Sequence, residues 1–168
     1  MEKNKKKEII TDLLIVVIVF TVFFVITKFL CTFINVKGTS MQDTLQENDK
    51  GMSFYYDLDN IQRFDIVVVN TESEKSLIKR VIGLPNEKIE YKDNKLYVNG
   101  VYIKEEFLKD GIITNNFNIT LKDNEYFCLG DNRNVSNDSR FYGPFKKENI
   151  ETSHIFILYP FNRIGFIK

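Results

Sequence analysis

The chain has no alanine, one histidine and two cysteines, and its charges cancel, Lys+Arg 23 against Asp+Glu 23. Each scarcity removes a class of protein. A zero balance gives no overall positive field to draw the chain onto nucleic acid, although Lys3, Lys5, Lys6 and Lys7 form a local basic cluster. Cys31 and Cys128 do not make a disulfide framework and are expected as small buried hydrophobes. His154 has no Cys or His companion at ligand spacing and lies in an apolar, strand-like run, so neither a metal site nor a cofactor is expected. A Ser-His-Asp triad would have no other histidine to draw on.

At 168 residues and 19.8 kDa there is room for a membrane anchor and one compact domain. Residues 13–26 are uncharged and almost wholly apolar, and after Thr27-Lys28 the apolar character resumes as far as Val36. As one helix, residues 13–35 would span roughly 34 Å, enough for a bilayer core of about 30 Å. Lys28 lies close enough to the end to extend its ammonium to the headgroups. A basic start before an apolar run also describes a cleavable secretory signal. Here Lys28-Phe29-Leu30-Cys31-Thr32-Phe33-Ile34 offers no small-x-small cleavage site, and no alanine occurs anywhere. The expectation is therefore an uncleaved, single-pass anchor in the cell membrane. Residues 1–8 are a basic cytoplasmic N-terminus, 9–35 the transmembrane helix and 36–168 an extracytoplasmic domain, oriented by the lysines before the span.

From Met52 onward the pattern is β. Residues 52–56, 65–69, 76–82 and 87–91 are short runs rich in β-branched and aromatic residues, separated by turn formers. Asn99-Gly100 marks a hairpin turn between Leu96-Tyr97-Val98 and Val101-Tyr102-Ile103. Residues 118–121, 125–129 and 154–158 complete the strands, 109–118 suit a polar surface loop, and 146–149 suit one helical turn. With no long amphipathic helix after the anchor and no internal repeat, the domain is expected to be mostly β.

Three stretches could carry chemistry. Gly38-Thr39-Ser40-Met41-Gln42-Asp43-Thr44-Leu45 places a hydroxyl where anchor meets domain, and Gly38 permits a backbone conformation that a side chain would block. Without a base nearby, a Gly-x-Ser is ordinary turn chemistry. Lys79 interrupts the strand of residues 76–83, where alternation sets Leu77, Lys79 and Val81 on one face and Ile78, Arg80 and Ile82 on the other. Two roles fit Lys79. It could protect an edge strand from aggregation, or it could be desolvated until its pKa falls from about 10.4 toward 7–8 and it accepts a serine proton. Ser40 would be its partner in the second role. The polar block Gly130-Asp131-Asn132-Arg133-Asn134-Val135-Ser136-Asn137-Asp138-Ser139-Arg140 fits either a solvated turn or a rigid shell of acid–base pairs around a catalytic lysine.

Together, Gly38-Thr39-Ser40-Met41 with Thr44-Leu45, Lys79-Arg80-Val81-Ile82-Gly83-Leu84-Pro85, and the block from Gly130 to Arg140 resemble the signature boxes of bacterial type I signal peptidases. The resemblance extends to Arg63-Phe64-Asp65-Ile66-Val67-Val68 and to Pro160-Phe161-Asn162-Arg163-Ile164-Gly165. It implies a signal-peptidase-like β domain and a membrane-bound serine endopeptidase that removes signal peptides from secreted preproteins. Its implied partners are those signal peptides, the lipid bilayer and the secretion translocon. By the same resemblance Ser40 is the nucleophile and its N–H an oxyanion donor, while Lys79 is the general base oriented by Ser136. Asp131, Arg133, Asp138 and Arg140 would brace the site, Arg80 would stabilise the fold around it, and Met41 would line the substrate cleft.

Family members usually carry proline where this chain has Asp43, and Gly-Asp where it has Asn86-Glu87. A carboxylate within about 4–6 Å of Lys79 would raise its pKa, so Asp43 is a departure with a chemical consequence. A second reading is a non-catalytic relative serving pilus or secretion assembly, whose mark would be loss of the serine or lysine; both are present. A self-cleaving Ser-Lys regulator would need a DNA-binding domain in place of the anchor.

Overall fold

The computed structural model describes residues 2–55, 58–71 and 76–167. Helix α1, Glu2–Leu30, contains a stretch from Lys5 to Leu30 that is long and apolar enough to cross a bilayer, about 39 Å at 1.5 Å per residue. Its large side chains face outward throughout, Phe20 at 70% and Phe24 at 69% exposure, which no water-solvated helix would favour. The helix is a candidate membrane anchor.

The apolar helix does not run to residue 35. The chain leaves the helix after Leu30, and Cys31–Asn35 forms strand β1, paired antiparallel with β2, Lys50–Phe54. Hydropathy alone cannot mark this boundary, because Cys31-Thr32-Phe33-Ile34 is as apolar as the helix end. The helix stops where β2 supplies backbone partners from Cys31↔Phe54 to Asn35↔Lys50.

The strands that follow are β3 Ile66–Asn70, β4 Ser76–Gly83, β5 Lys88–Lys92, β6 Lys95–Val98, β7 Val101–Ile103, β8 Phe117–Thr120 and β9 Glu125–Leu129. Then come helix α2 Ser139–Tyr142, β10 Phe145–Lys146, β11 Ile150–Tyr159 and β12 Gly165–Phe166, with single 3₁₀ turns at Lys147–Asn149 and Phe161–Arg163. The expected strands are all present within a few residues, and the expected helical turn is the first of the 3₁₀ turns. Tyr56, the end of one expected strand, lies outside the described residues. The two-residue strands β10 and β12 are too short to show any period.

Among the described residues the strands form two sheets. The larger has the order β1-β2-β11-β3-β4-β9-β10, with β12 also on β11; the smaller has the order β7-β6-β5-β8. Strand β4 lies inside the larger sheet, between β3 and β9, and three apolar clusters meet around it. Val81 packs with Val67, Tyr126 and Cys128, Ile82 with Ile89, Tyr91 and Phe127, and Ile78 against Met41, Leu45 and Ile155. Lys79 is buried with its amine on Ser40, so it presents no charge to solvent, and this overturns the edge-protection role. Only the end of β4 is open: β9 pairs with Arg80, Val81 and Gly83, whereas Ser76 to Lys79 pair with β3 alone.

Candidate active site

Lys79 and Arg80 are 2% and 1% exposed, so each must find partners inside the protein. Lys79 Nζ lies 2.8 Å from Ser40 Oγ and donates to Ile78 O at 3.0 Å. Burial brings its pKa down from 10.5 to about 8, against the opposing pull of Asp138, Cys128 and Asp131. Roughly a tenth of the amines are then neutral at pH 7. A neutral amine can accept the Ser40 proton, and the Ser40 N–H is committed to no acceptor among the described residues. Gly38, at φ +80, places the chain in the left-handed region just before the hydroxyl.

The other charges form a shell. Arg80 grips Asp131 through Nε (2.9 Å) and Nη2 (2.8 Å), donates through Nη1 to Phe64 O, and stacks on Phe107 at 4.1 Å. Asp131 also accepts from the Thr44 hydroxyl at 2.5 Å, which ties β4 to the Ser40 loop. Asp138 caps α2, accepts Nε and Nη2 of Arg140, each at 2.8 Å, and takes the Gly130 N–H at 3.0 Å. Burial would raise the Asp138 pKa, but those bonds outweigh it and hold the carboxyl below the usual range.

Arg133, buried completely at its side chain, donates to Gly130 O, Tyr91 Oη, Thr114 Oγ1 and Glu105 Oε1. It thereby bolts the polar block to the smaller sheet. Residues 109–118 are thus not only a surface loop, since Thr114 is 2% exposed. Tyr91, Glu105 and Thr114 carry no motif, and their role is visible only once Arg133 lies among them. Asn132 is also closer to the reaction than its motif suggests: its N–H donates to Ser40 O (3.0 Å) and its Nδ2 to Thr39 O (3.2 Å).

Two expectations need correction. Ser136 does not hydrogen-bond Lys79, whose acceptors are Ser40 and Ile78. Its hydroxyl is buried without a partner at full hydrogen-bond geometry, near enough to Asp138 to help lower that carboxyl. It packs instead against Gly130, where an added Cβ would lie 2.3 Å from Ser136 Oγ and 2.4 Å from Ser40 O. Asp43 does not bear on Lys79: it pairs at 2.8 Å with Lys109. The Asn86-Glu87 departure is absorbed locally, because Glu87 takes Arg63 through both oxygens and caps the Leu84 N–H.

Beside the Ser-Lys pair runs a cleft of about 160 Å³, with Asn35, Val36, Gly38, Ser40 and Met41 on one wall and Leu77, Ile78 and Lys79 on the other. Met41 is 3% exposed, so it serves the core and the cleft wall together.

A β-rich domain carrying a serine hydroxyl against a buried lysine amine, at the open end of a strand, has the make-up of a serine-lysine peptidase. The sequence profile of the family described as signal peptidase, peptidase S26, matches residues 8–159, and the chain belongs to that family. Signal peptidase I V of Bacillus subtilis (strain 168) is 43% identical over 133 residues, covering 68% of this chain and 78% of that protein. Signal peptidase IB of Staphylococcus aureus (strain COL) is 30% identical over 177 residues, covering 94% and 93%. The crystal structure of a signal peptidase I from Enterococcus faecalis V583 aligns with TM-score 0.51 at 34% identity, covering 56% of this chain and 96% of that one.

Proposed function

We propose that this chain cleaves N-terminal signal peptides from preproteins as a membrane-anchored serine endopeptidase, with Ser40 as nucleophile and Lys79 as general base. The carrying observation is the 2.8 Å contact between Lys79 Nζ and Ser40 Oγ, made by an amine that burial brings to a pKa of about 8. Neutral Lys79 takes the hydroxyl proton as Oγ bonds to the scissile carbonyl carbon. The carbonyl oxygen, now negative, is met by the Ser40 N–H. The new ammonium gives its proton to the departing amine and leaves an acyl group on Ser40. The lysine next deprotonates a water that attacks the acyl carbon; the bond from that carbon to Oγ breaks and the ammonium returns the proton to Ser40 Oγ.

The substrate would lie in the cleft as an added strand, using the backbone of residues 76–79 that β9 leaves unpaired. Asp131 with Arg80 and Asp138 with Arg140 brace the site, and Arg133 fastens that shell to the smaller sheet.

The bilayer is the proposed partner of α1 and of the adjoining sheet face. Phe33, Met52, Phe156 and Phe166 form one cross-strand row, with Phe33 75% and Phe166 56% exposed, directly beyond the helix end. The basic N-terminus would be cytoplasmic and the domain extracytoplasmic, where preproteins emerge from the translocon.

Ser40→Ala and Lys79→Ala should each abolish processing of a preprotein, read by sequencing the new N-terminus, while leaving the fold intact. Lys79→Arg should fail as well, because a guanidinium stays protonated. Activity within about tenfold of wild type in Ser40→Ala or Lys79→Ala would exclude the dyad.

A further inference from the structure

The loop carrying Ser40 is closed at its base, where Val36 N–H donates to Asp49 O (2.8 Å) and Asn48 N–H to Val36 O (2.9 Å). Inside it, Leu45 N–H reaches Met41 O at 2.8 Å. Thr44 is gripped from two sides: its hydroxyl donates to Asp131, and its carbonyl accepts Arg163 Nη2 at 2.8 Å. The same Nη2 lies 3.0 Å from Asp49 Oδ2, a carboxylate 2% exposed that also accepts the Gln46 N–H at 2.8 Å. Arg163 comes from the 3₁₀ turn after β11, 119 residues from Thr44 along the chain. Its Nε is buried without a partner. The guanidinium is thus placed by its two acceptors on the Ser40 loop, at the expense of its own full hydrogen bonding.

We propose that Arg163 is a positioning residue for the peptidase reaction, fixing the loop that presents Ser40 to Lys79 by clamping Thr44 O and the Asp49 carboxylate together. The proposal rests on Ser40 being the nucleophile. Among the described residues no other cation pairs with Asp49, so removal of Arg163 leaves a buried carboxylate with no counter-charge, held only by the Gln46 N–H, and frees the Thr44 carbonyl. The turn from Met41 to Leu45 then loses one of its two anchors. A displacement of Ser40 by about 1 Å can cost on the order of 100-fold in rate. Met41 and Ser40 belong to the clamped loop, but the cleft residues Asn35, Leu77 and Ile78 lie outside it, so turnover falls more than binding.

The test uses the full chain in phospholipid vesicles with a preprotein substrate. Arg163→Ala should lower kcat about 10- to 100-fold and leave KM within about twofold. Added guanidinium ion should restore kcat about fivefold or more, and Arg163→Lys, which keeps a charged donor, should retain more activity than Arg163→Ala. Wild-type kcat in Arg163→Ala would overturn the clamp. So would a loss that follows the folded fraction and responds neither to guanidinium nor to lysine, because Arg163 would then serve stability alone. Ser40→Ala is measured in parallel. An active Ser40→Ala removes the nucleophile and the clamp with it, whereas an inactive Ser40→Ala beside a fully active Arg163→Ala removes only the clamp.

Discussion

At the scale of the residue, the proposed chemistry turns on a lysine whose pKa burial brings down to about 8. The folded pKa of Lys79, about 8, lies below its unfolded value of 10.5. Below pH 8 both states hold the proton and the folded state bears the whole cost of a buried ammonium. From pH 8 to 10.5 the folded state loses the proton first, so stability rises with pH, and above that range the cost is gone. Lys79→Met, similar in length but never charged, should therefore raise Tm at pH 7 by about 5 °C or more. The gain should shrink across pH 8 to 10.5 in thermal scans; a gain independent of pH would show that Lys79 is not desolvated. Asp43 bears on the same ionisation. With its carboxylate on Lys109, and Asp138 and Asp131 as the carboxylates acting on Lys79, Asp43→Asn should leave the pH profile of kcat/KM superimposable on wild type. A basic rise moved to lower pH would put Asp43 back beside the lysine.

At the scale of the element, the consequential boundary lies between Leu30 and Cys31, where the apolar run passes from helix to sheet edge without a change in composition. β1 covers the edge of β2 and contributes the Asn35 end of the cleft wall. A chain starting at Cys31 should keep the unfolding temperature of the full-length domain and cut peptides weakly, for want of the membrane that concentrates it with substrate. A chain starting at Val36 should lose roughly 5–10 °C in Tm and most of that residual activity, because β2 becomes a bare edge. Equal Tm values for the two truncations would mean that β1 contributes nothing to the sheet. The loop after β7 teaches a related lesson. Its polar composition reads as surface, yet Thr114 is buried and the Glu105 side chain largely covered, because Arg133 arrives from another part of the chain to meet them.

At the scale of the whole molecule, β1 joins the exposed apolar helix to the cleft, with Phe33 of the aromatic row just after Leu30 and Asn35 in the cleft wall. In the proposed topology the lysines at positions 3, 5, 6 and 7 stay in the cytoplasm and the cleft is extracytoplasmic. Protease added outside intact protoplasts should therefore digest the domain after β1, as followed with an antibody to its C-terminal end. Protection until the membrane is broken would reverse the orientation and remove the enzyme from emerging preproteins.

Ser40, Lys79 and the block from Gly130 to Arg140 were legible in the sequence only as a set, because each alone fits a turn, an edge strand or a solvated loop equally well. The strands were legible one by one, since side-chain alternation is a local property of the chain. The sequence by itself thus determined an apolar N-terminal segment, a mostly β domain and the residue types of a serine-lysine site. Only the tertiary structure decided where the apolar helix ends, that Lys79 bonds Ser40 without help from Ser136, that Asp43 turns to Lys109, and that Arg163 meets both Thr44 and Asp49. These outcomes depend on which distant segments share a buried space, and a buried charge takes the nearest partner that burial leaves it, whatever their separation along the chain.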